Sequence, residues 1–278
     1  MKKYSYPSVL SIAGFDGSGG AGIQADIKTA SALGCYSTSV LTALPVQNTT
    51  GVKAIYPIPH KAIAEQIESI FDDIFPDAVK IGMVHTQELV ETIVASLGKY
   101  RRTPLVFDPV MVATSGDKLI EDDTIATIVE KLIPLADVIT PNLDEASILA
   151  EMQIESVDDM YVAGEQIKKR GARSLLLKGG HLKTERLTSL YFAEDGQVHE
   201  FHFEKYVTAN THGSGCTLSS AIASYIARGE TLLGAIAKAQ DYVDKAIGFG
   251  KDVKVGKGNG PLNHFYNPLE LKKNELEH

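Results

Sequence analysis

Tryptophan is absent from the 278 residues, and cysteine occurs only as Cys35 and Cys216. Two thiols build neither a disulfide framework nor a cysteine-rich zinc site. Basic residues are outnumbered: 27 Lys and Arg against 35 Asp and Glu leave a net charge of −8. Nucleic acid is therefore not an expected partner, because binding it takes a basic face that neutralises phosphates. A small anion needs only a few local donors. No apolar run approaches the roughly 20 residues of a membrane span. The opening "MKKYSYPSVLSIAG" is too short in apolar residues for a signal peptide. These absences predict a cytoplasmic protein with no membrane partner. The final "LEH" (276–278) reads as an expression scar.

What is present is 44% hydrophobic residues, enough at this length for a substantial core. They fall into short apolar runs separated by helical periodicity. Strands are predicted at 8–14, 36–44, 78–83, 104–111, 137–142 and 174–180. Helices are predicted at 21–34, 61–74, 87–98 and 122–136. This alternation predicts an α/β fold with a mostly parallel sheet covered on both faces. Ligands in such sheets bind beyond the C-terminal strand ends. Chemistry is thus expected in "GFDGSGG" (14–20), "VQN" (46–48), "GM" (82–83), "DPVM" (108–111), "PNLDE" (141–145) and "KGGH" (178–181). A hairpin around Asp195-Gly196 and helices at 214–228 and 231–248 complete a single domain, residues 1–275.

"GSGGAG" (Gly17 to Gly22) follows a strand and opens a helix, as a dinucleotide loop does. The acid expected at the end of the second strand is missing from "SVLTALPVQN", which weakens that reading. The glycines fit either a tight turn or a loop that a ligand approaches closely. Their amides are also candidates for a nest that takes a substrate phosphate. Asp26 lies early in the next helix. Gln47 and Asn48 are ligand amides or turn formers. Asp108 ends an apolar strand. Asn142 and Glu145, three apart, either share a helix face suited to a hydrated Mg²⁺ beside phosphates or form a capping box. Lys178, followed by Gly179 and Gly180, offers a point charge to a phosphate. His181 and His212 read as structural. No zinc motif occurs.

"NTHGSGCTLSSAIA" (210–223) places Gly213, Ser214, Gly215 and Cys216 at a helix start. Free amides there bind anions, and glycine lets a phosphate come close. The helix dipole is expected to lower the pKa of a thiol in the first turn, making Cys216 a candidate base. Cys35, in "ALGCYS", reads as a small packed residue.

These stretches, with "QNTTGV", "VKIGM", "DPVMVATSG", "LADVITPNLDEA", "LLLKGGH" and "GKGNGPLNHF", resemble the ribokinase-like superfamily. Within it they are most similar to the hydroxymethylpyrimidine/phosphomethylpyrimidine kinases of thiamine synthesis. The resemblance covers nearly the whole chain. It implies a three-layer α/β/α sandwich, ATP and Mg²⁺ as co-substrate and cofactor, and a homodimer. No Walker loop occurs, as expected for such a kinase. By resemblance, Gly213 to Cys216 form the anion hole and Cys216 is the general base. Asn142, Lys178, Gly179 and Thr211 approach ATP, and Asp108 and Glu145 serve the metal. Gln47 binds the aminopyrimidine, with Gly14, Asp26, Met83 and Val110 lining the same pocket. Phe15-Asp16-Gly17, Pro45-Val46, Ser214 and Asn259 depart from the usual family residues. The alternatives are a pyridoxal or pyridoxine kinase, a dinucleotide-binding oxidoreductase and a non-catalytic nucleotide-binding protein.

Overall fold

A strand covered on both faces needs apolar side chains on both, and every residue of the 8–13 segment is buried. The computed structural model describes residues 3–111, 120, 122–180 and 186–276. Its elements in chain order are β1 (Tyr4–Ser5), β2 (Ser8–Ala13), α1 (Gly22–Ala32), β3 (Tyr36–Leu41), β4 (Ala43–Asn48), β5 (Gly51–Pro57), α2 (His60–Asp73), β6 (Ala78–Ile81), α3 (Gln87–Leu97), β7 (Leu105–Phe107) and α4 (Asp122–Thr127). There follow β8 (Val138–Ile139), α5 (Leu143–Ala150), α6 (Val157–Lys169), β9 (Leu175–Lys178), β10 (Arg186–Phe192), β11 (Val198–Glu204), α7 (Ser214–Ala227), α8 (Leu232–Gly250) and β12 (Asn274–Glu275).

The central sheet has the order β11-β10-β9-β8-β7-β6-β2-β3. Strands β9, β8, β7, β6, β2 and β3 run parallel, and β10 and β11 add an antiparallel hairpin at one edge. Alternate residues serve opposite faces. Leu10, Ile12, Val79, Ile81, Leu105 and Phe107 pack against α2, α3, α5 and α6. Their neighbours Val9, Ala78 and Val106 pack against α1, α7 and α8. Each such buried aliphatic side chain contributes about 1.5–3 kcal/mol. The result is the predicted three-layer sandwich.

Two predicted elements differ. The 36–44 strand breaks at Thr42: β3 stays in the sheet, while β4 leaves it to pair with β5 as a separate hairpin. That hairpin is not among the predicted elements, and its second strand is solvated on nearly every residue. The predicted 122–136 helix changes form along its length. A five-residue π turn (Ile128–Leu132) and a 3₁₀ turn (Ile133–Leu135) follow α4, because Pro134 cannot continue α-helical bonding. Finally, β1 and β12 tie the two ends of the described chain together.

Candidate active site

Helix α7 is 14 residues long and begins at Ser214, with Gly213 as its N-cap in the left-handed region (φ +80°). A Cβ at Gly213 would lie 1.8 Å from the carbonyl oxygen of Gly20, so conformation and packing both demand glycine. The Ser214 amide donates to Thr211 O, which removes one of the four donors expected of the anion hole. The Gly215 and Cys216 amides have no acceptor among the described residues, and both residues are only half-buried.

Asp108, Lys178 and Glu145 gather beside these amides. A Cβ on Gly215 would sit 3.3 Å from Lys178 Nζ and 3.4 Å from an Asp108 oxygen. Lys178 Nζ donates to Asp108 Oδ1 at 3.2 Å, and Thr140 Oγ1 donates to the same oxygen at 3.0 Å. Asn142 and Glu145 form the full capping box: Asn142 Oδ1 accepts from the Glu145 amide and Glu145 Oε2 from the Asn142 amide. Asn142 also bridges to Lys178 across the parallel strands, which places the α5 N-terminus at the end of β9. Burial pushes the Glu145 carboxyl up to about 7; Lys178 pulls it down and Asp108 pushes it further up.

Those two buried carboxylates fit a divalent cation. Burial first, and the Asp108 charge after it, disfavour the ionised Glu145 carboxylate, and a cation relieves both. Among the described residues no cluster of three His, Cys, Asp or Glu could hold a metal alone. Phosphate and water oxygens complete the shell of Mg²⁺ in such sites.

Cys216 is half-buried and its thiol is free. The dipole argument predicts a lowered pKa, but the structure reverses it. Burial pushes the thiol up to about 11, against the Lys80 ammonium and a hydrogen bond from the Gly22 amide, with Asp26 and Asp108 adding to the rise. Cys35 is 2% exposed, and burial pushes its thiol up to about 11 as well, in keeping with a packed residue.

The glycine turn holds an anion of its own. The buried Asp16 carboxylate accepts from the amides of Ser18, Gly20 and Ala21 and from Ser18 Oγ. The amides proposed as a phosphate nest, or for a dinucleotide, are thus largely occupied, and both readings of this turn are corrected. His212 Nε2 lies 2.9 Å from Asp16 Oδ2. Burial pushes the Asp16 carboxyl up, yet the bonds from His212, Ser18 and the Ala21 amide prevail and hold it well below its ordinary 3.8. A carboxyl held low in the folded state adds stability that is full above its ordinary value and is lost as pH falls toward the folded one. Asp16→Asn should therefore lower Tm at pH 7, and the deficit should shrink below about pH 4. Thermal melts from pH 2 to 7 check this; a pH-independent deficit contradicts it.

Gln47 does not follow a sheet strand, as predicted, but lies in the β4–β5 hairpin just past a bulge. Its amide nitrogen is 3.4 Å from His212 Nε2, which links the hairpin to the residue before Gly213. Asn48 takes the turn-forming alternative, accepting from Thr50. Thr49 holds the hairpin tip: its hydroxyl accepts from the amides of Lys257 and Gly258, and its carbonyl accepts from Asn259. A Cβ on Gly14 would meet Met83 Cε at 3.8 Å, so these two residues border one space. Val110 is half-buried two residues past Asp108, to whose carbonyl its amide donates.

Two further assignments change. Asp26 is 2% exposed, and both its oxygens are taken by Lys80, Ser11 and Ser220, so it is not a free acceptor for a ligand amino group. At Gly179 a Cβ would lie 2.1 Å from the Thr188 carbonyl oxygen, which makes close strand packing sufficient reason for that glycine. Thr211 is exposed and contributes its carbonyl to the helix start. His181 and residues 112–116 of "DPVMVATSG" lie outside the described residues.

Residues 16–263 match the family model described as phosphomethylpyrimidine kinase. The hydroxymethylpyrimidine/phosphomethylpyrimidine kinase of Rhizobium meliloti is 44% identical over 92% of this chain and 96% of its own length. The chain spans about half the length of two bifunctional thiamine-biosynthesis relatives it matches, from Geobacter sulfurreducens and Oryza sativa. Among solved structures, phosphomethylpyrimidine kinase from Clostridium difficile 630 is 43% identical, with TM-score 0.77 over 86% of this chain and 99% of that one. Pyridoxal kinase from Staphylococcus aureus in complex with AMP-PCP is 31% identical, with TM-score 0.87 over 98% of this chain and all of that one. The ribokinase-like architecture is thus shared by both kinds of kinase, while identity and the family model separate them: this chain belongs to the phosphomethylpyrimidine kinase family.

Proposed function

We propose that this protein transfers the γ-phosphoryl group of ATP to 4-amino-5-hydroxymethyl-2-methylpyrimidine, and then to its monophosphate to give the diphosphate. The observation that carries the proposal is one helix start at which two free amides, a thiol, two buried carboxylates and an ammonium converge. Phosphoryl transfer needs little else, because alignment and charge stabilisation dominate it. In this reading the Gly215 and Cys216 amides take charge developing on the transferred group. Lys178 exchanges Asp108 for phosphate oxygens. Cys216 accepts the proton of the attacking hydroxyl, and Gln47 fixes the pyrimidine from the hairpin. Asp108 and Glu145 would hold Mg²⁺, which supplies charge neutralisation at the phosphates. One kinase domain spanning 1–275 and a homodimer are part of the same proposal.

The test is ADP production from Mg·ATP with the hydroxymethylpyrimidine, its monophosphate and pyridoxal as parallel acceptors. Turnover of both pyrimidines well above pyridoxal supports the proposal. A preference for pyridoxal would move the protein to vitamin B6 salvage with the same phosphoryl-transfer site.

A further inference from the structure

The sheet face under α1 and α7 is apolar except at one place. Ser11 on β2 and Lys80 on β6 are register partners, and both point into this layer. Lys80 is completely buried, which is rare for a lysine without a compensating partner. Its partner is Asp26 of α1, with Nζ at 2.8 and 3.0 Å from the two carboxylate oxygens. Ser11 Oγ donates to Asp26 at 2.5 Å and Ser220 Oγ at 2.6 Å. Every strong acceptor on this carboxylate is used.

Stability alone does not account for such a pair. Well-packed apolar residues of similar volume do as well or better in the same place. Its position suggests another purpose. Ser220 is four residues beyond Cys216 on α7 and therefore lies on the same helix face, one turn below the thiol. The ion pair thus sits beneath Cys216, anchored to its helix by Ser220. A Cβ on Gly82 would lie 2.8 Å from Lys80 Nζ, so the ammonium also lies under the "GM" segment that borders the substrate space.

We propose that Lys80 is a positioning residue that holds a fixed positive charge beneath the Cys216 thiol, with Asp26 and Ser220 fixing the ammonium in place. The charged groups facing Cys216 are Lys80 from β6, Asp26 from α1, Asp108 from the β7 end and Lys178 from β9; the α1 N-terminus adds the Gly22 amide. Of the two ammoniums, Lys178 is 18% exposed, paired with Asp108 and placed to meet phosphate, whereas Lys80 has no path to ligand. Its charge favours the thiolate whether or not ATP is bound. Asp26 opposes that effect while keeping the buried lysine protonated. The inference builds on the reading of Cys216 as proton acceptor, but its test does not require turnover.

The rate of Cys216 alkylation by iodoacetamide, followed by peptide mass spectrometry to separate it from Cys35, reports the thiolate directly. At pH 8 Lys80→Met should react several-fold more slowly than the unsubstituted protein, and Asp26→Asn should too, because a buried lysine without its carboxylate loses the proton that carries the charge. Slower reaction in both is diagnostic, because a purely structural role would lower Tm, loosen the packing around the thiol and speed its alkylation. Where Lys80→Met does not fold, Asp26→Asn carries the test alone. An unchanged or faster rate in that variant overturns the proposal. Loss of kinase activity in the variants with unchanged alkylation would likewise reject the electrostatic role, whereas the alkylation shifts without pyrimidine turnover in the parent protein would reject the proposed reaction and leave this inference standing.

Discussion

Replacing Cys216 with alanine is expected to lower kcat for pyrimidine phosphorylation about 100-fold or more, the usual contribution of a positioned general base. KM for ATP should hardly move, since the amides and Lys178 that meet the phosphates remain. The pH profile makes the expectation sharper. With the thiol pushed up to about 11 by burial, only a small thiolate fraction exists at neutral pH, and that fraction grows about tenfold per pH unit below its pKa. kcat/KM for the pyrimidine reports groups of the free enzyme and should therefore keep rising above pH 8. A separate, earlier rise near pH 7 is expected from Glu145, whose carboxylate must be ionised to hold a cation. In Cys216→Ala the rise above pH 8 should vanish and the step near 7 should remain. Near-normal turnover in the alanine variant, or a retained upper limb, would remove the thiol from proton transfer.

Much of this site is legible in the sequence because strand ends and helix starts carry local signals. "DPV", "PNLDE" and "GSGC" each join a recognisable end signal to a functional side chain, and the sandwich brings Asp108, Glu145, Lys178 and the α7 start to one sheet edge. What escapes is set by long-range partners. Asp26 looks like an available acceptor until Lys80, 54 residues away, occupies it. The signal for Lys80 is present as a lone cation within the apolar "AVKIGM", but nothing local names its partner. The glycine turn meets the spacing rule for phosphate, yet the acid it cradles is its own Asp16, two to five residues from its donors. His212 reads as structural by itself; its bond to that Asp16 and its approach to Gln47 come from segments 196 and 165 residues away. The β4–β5 hairpin is missed because β5 is solvated along nearly its whole length and buries no face, so hydrophobic period carries little information there.

Gly213→Ala is the second large effect expected, and its mechanism can be separated from simple strain. Alanine in the left-handed region costs about 1–2 kcal/mol from backbone sterics alone. At Gly213 the new methyl also meets a backbone atom, the Gly20 carbonyl oxygen at 1.8 Å, which cannot swing aside as a side chain would. Either α7 or the glycine turn must shift, and the Gly215 and Cys216 amides shift with the helix. Displacing a charge-stabilising donor costs about 10²–10³ in kcat, so a loss of that order is expected. Gly229 supplies the comparison: its φ is +93°, and a Cβ there meets nothing within 4 Å. Gly229→Ala should lower Tm by a few degrees, as about 1 kcal/mol does for a domain of this size, and leave kcat unchanged. Gly215→Ala should fall between them, because its methyl presses on the flexible end of Lys178 at 3.3 Å rather than on backbone. Steady-state kinetics and thermal melts of the three variants decide the matter. Equal kcat losses at 213 and 229 would make backbone strain the common cause, whereas a loss confined to 213 and 215 places the phosphoryl group at the start of α7.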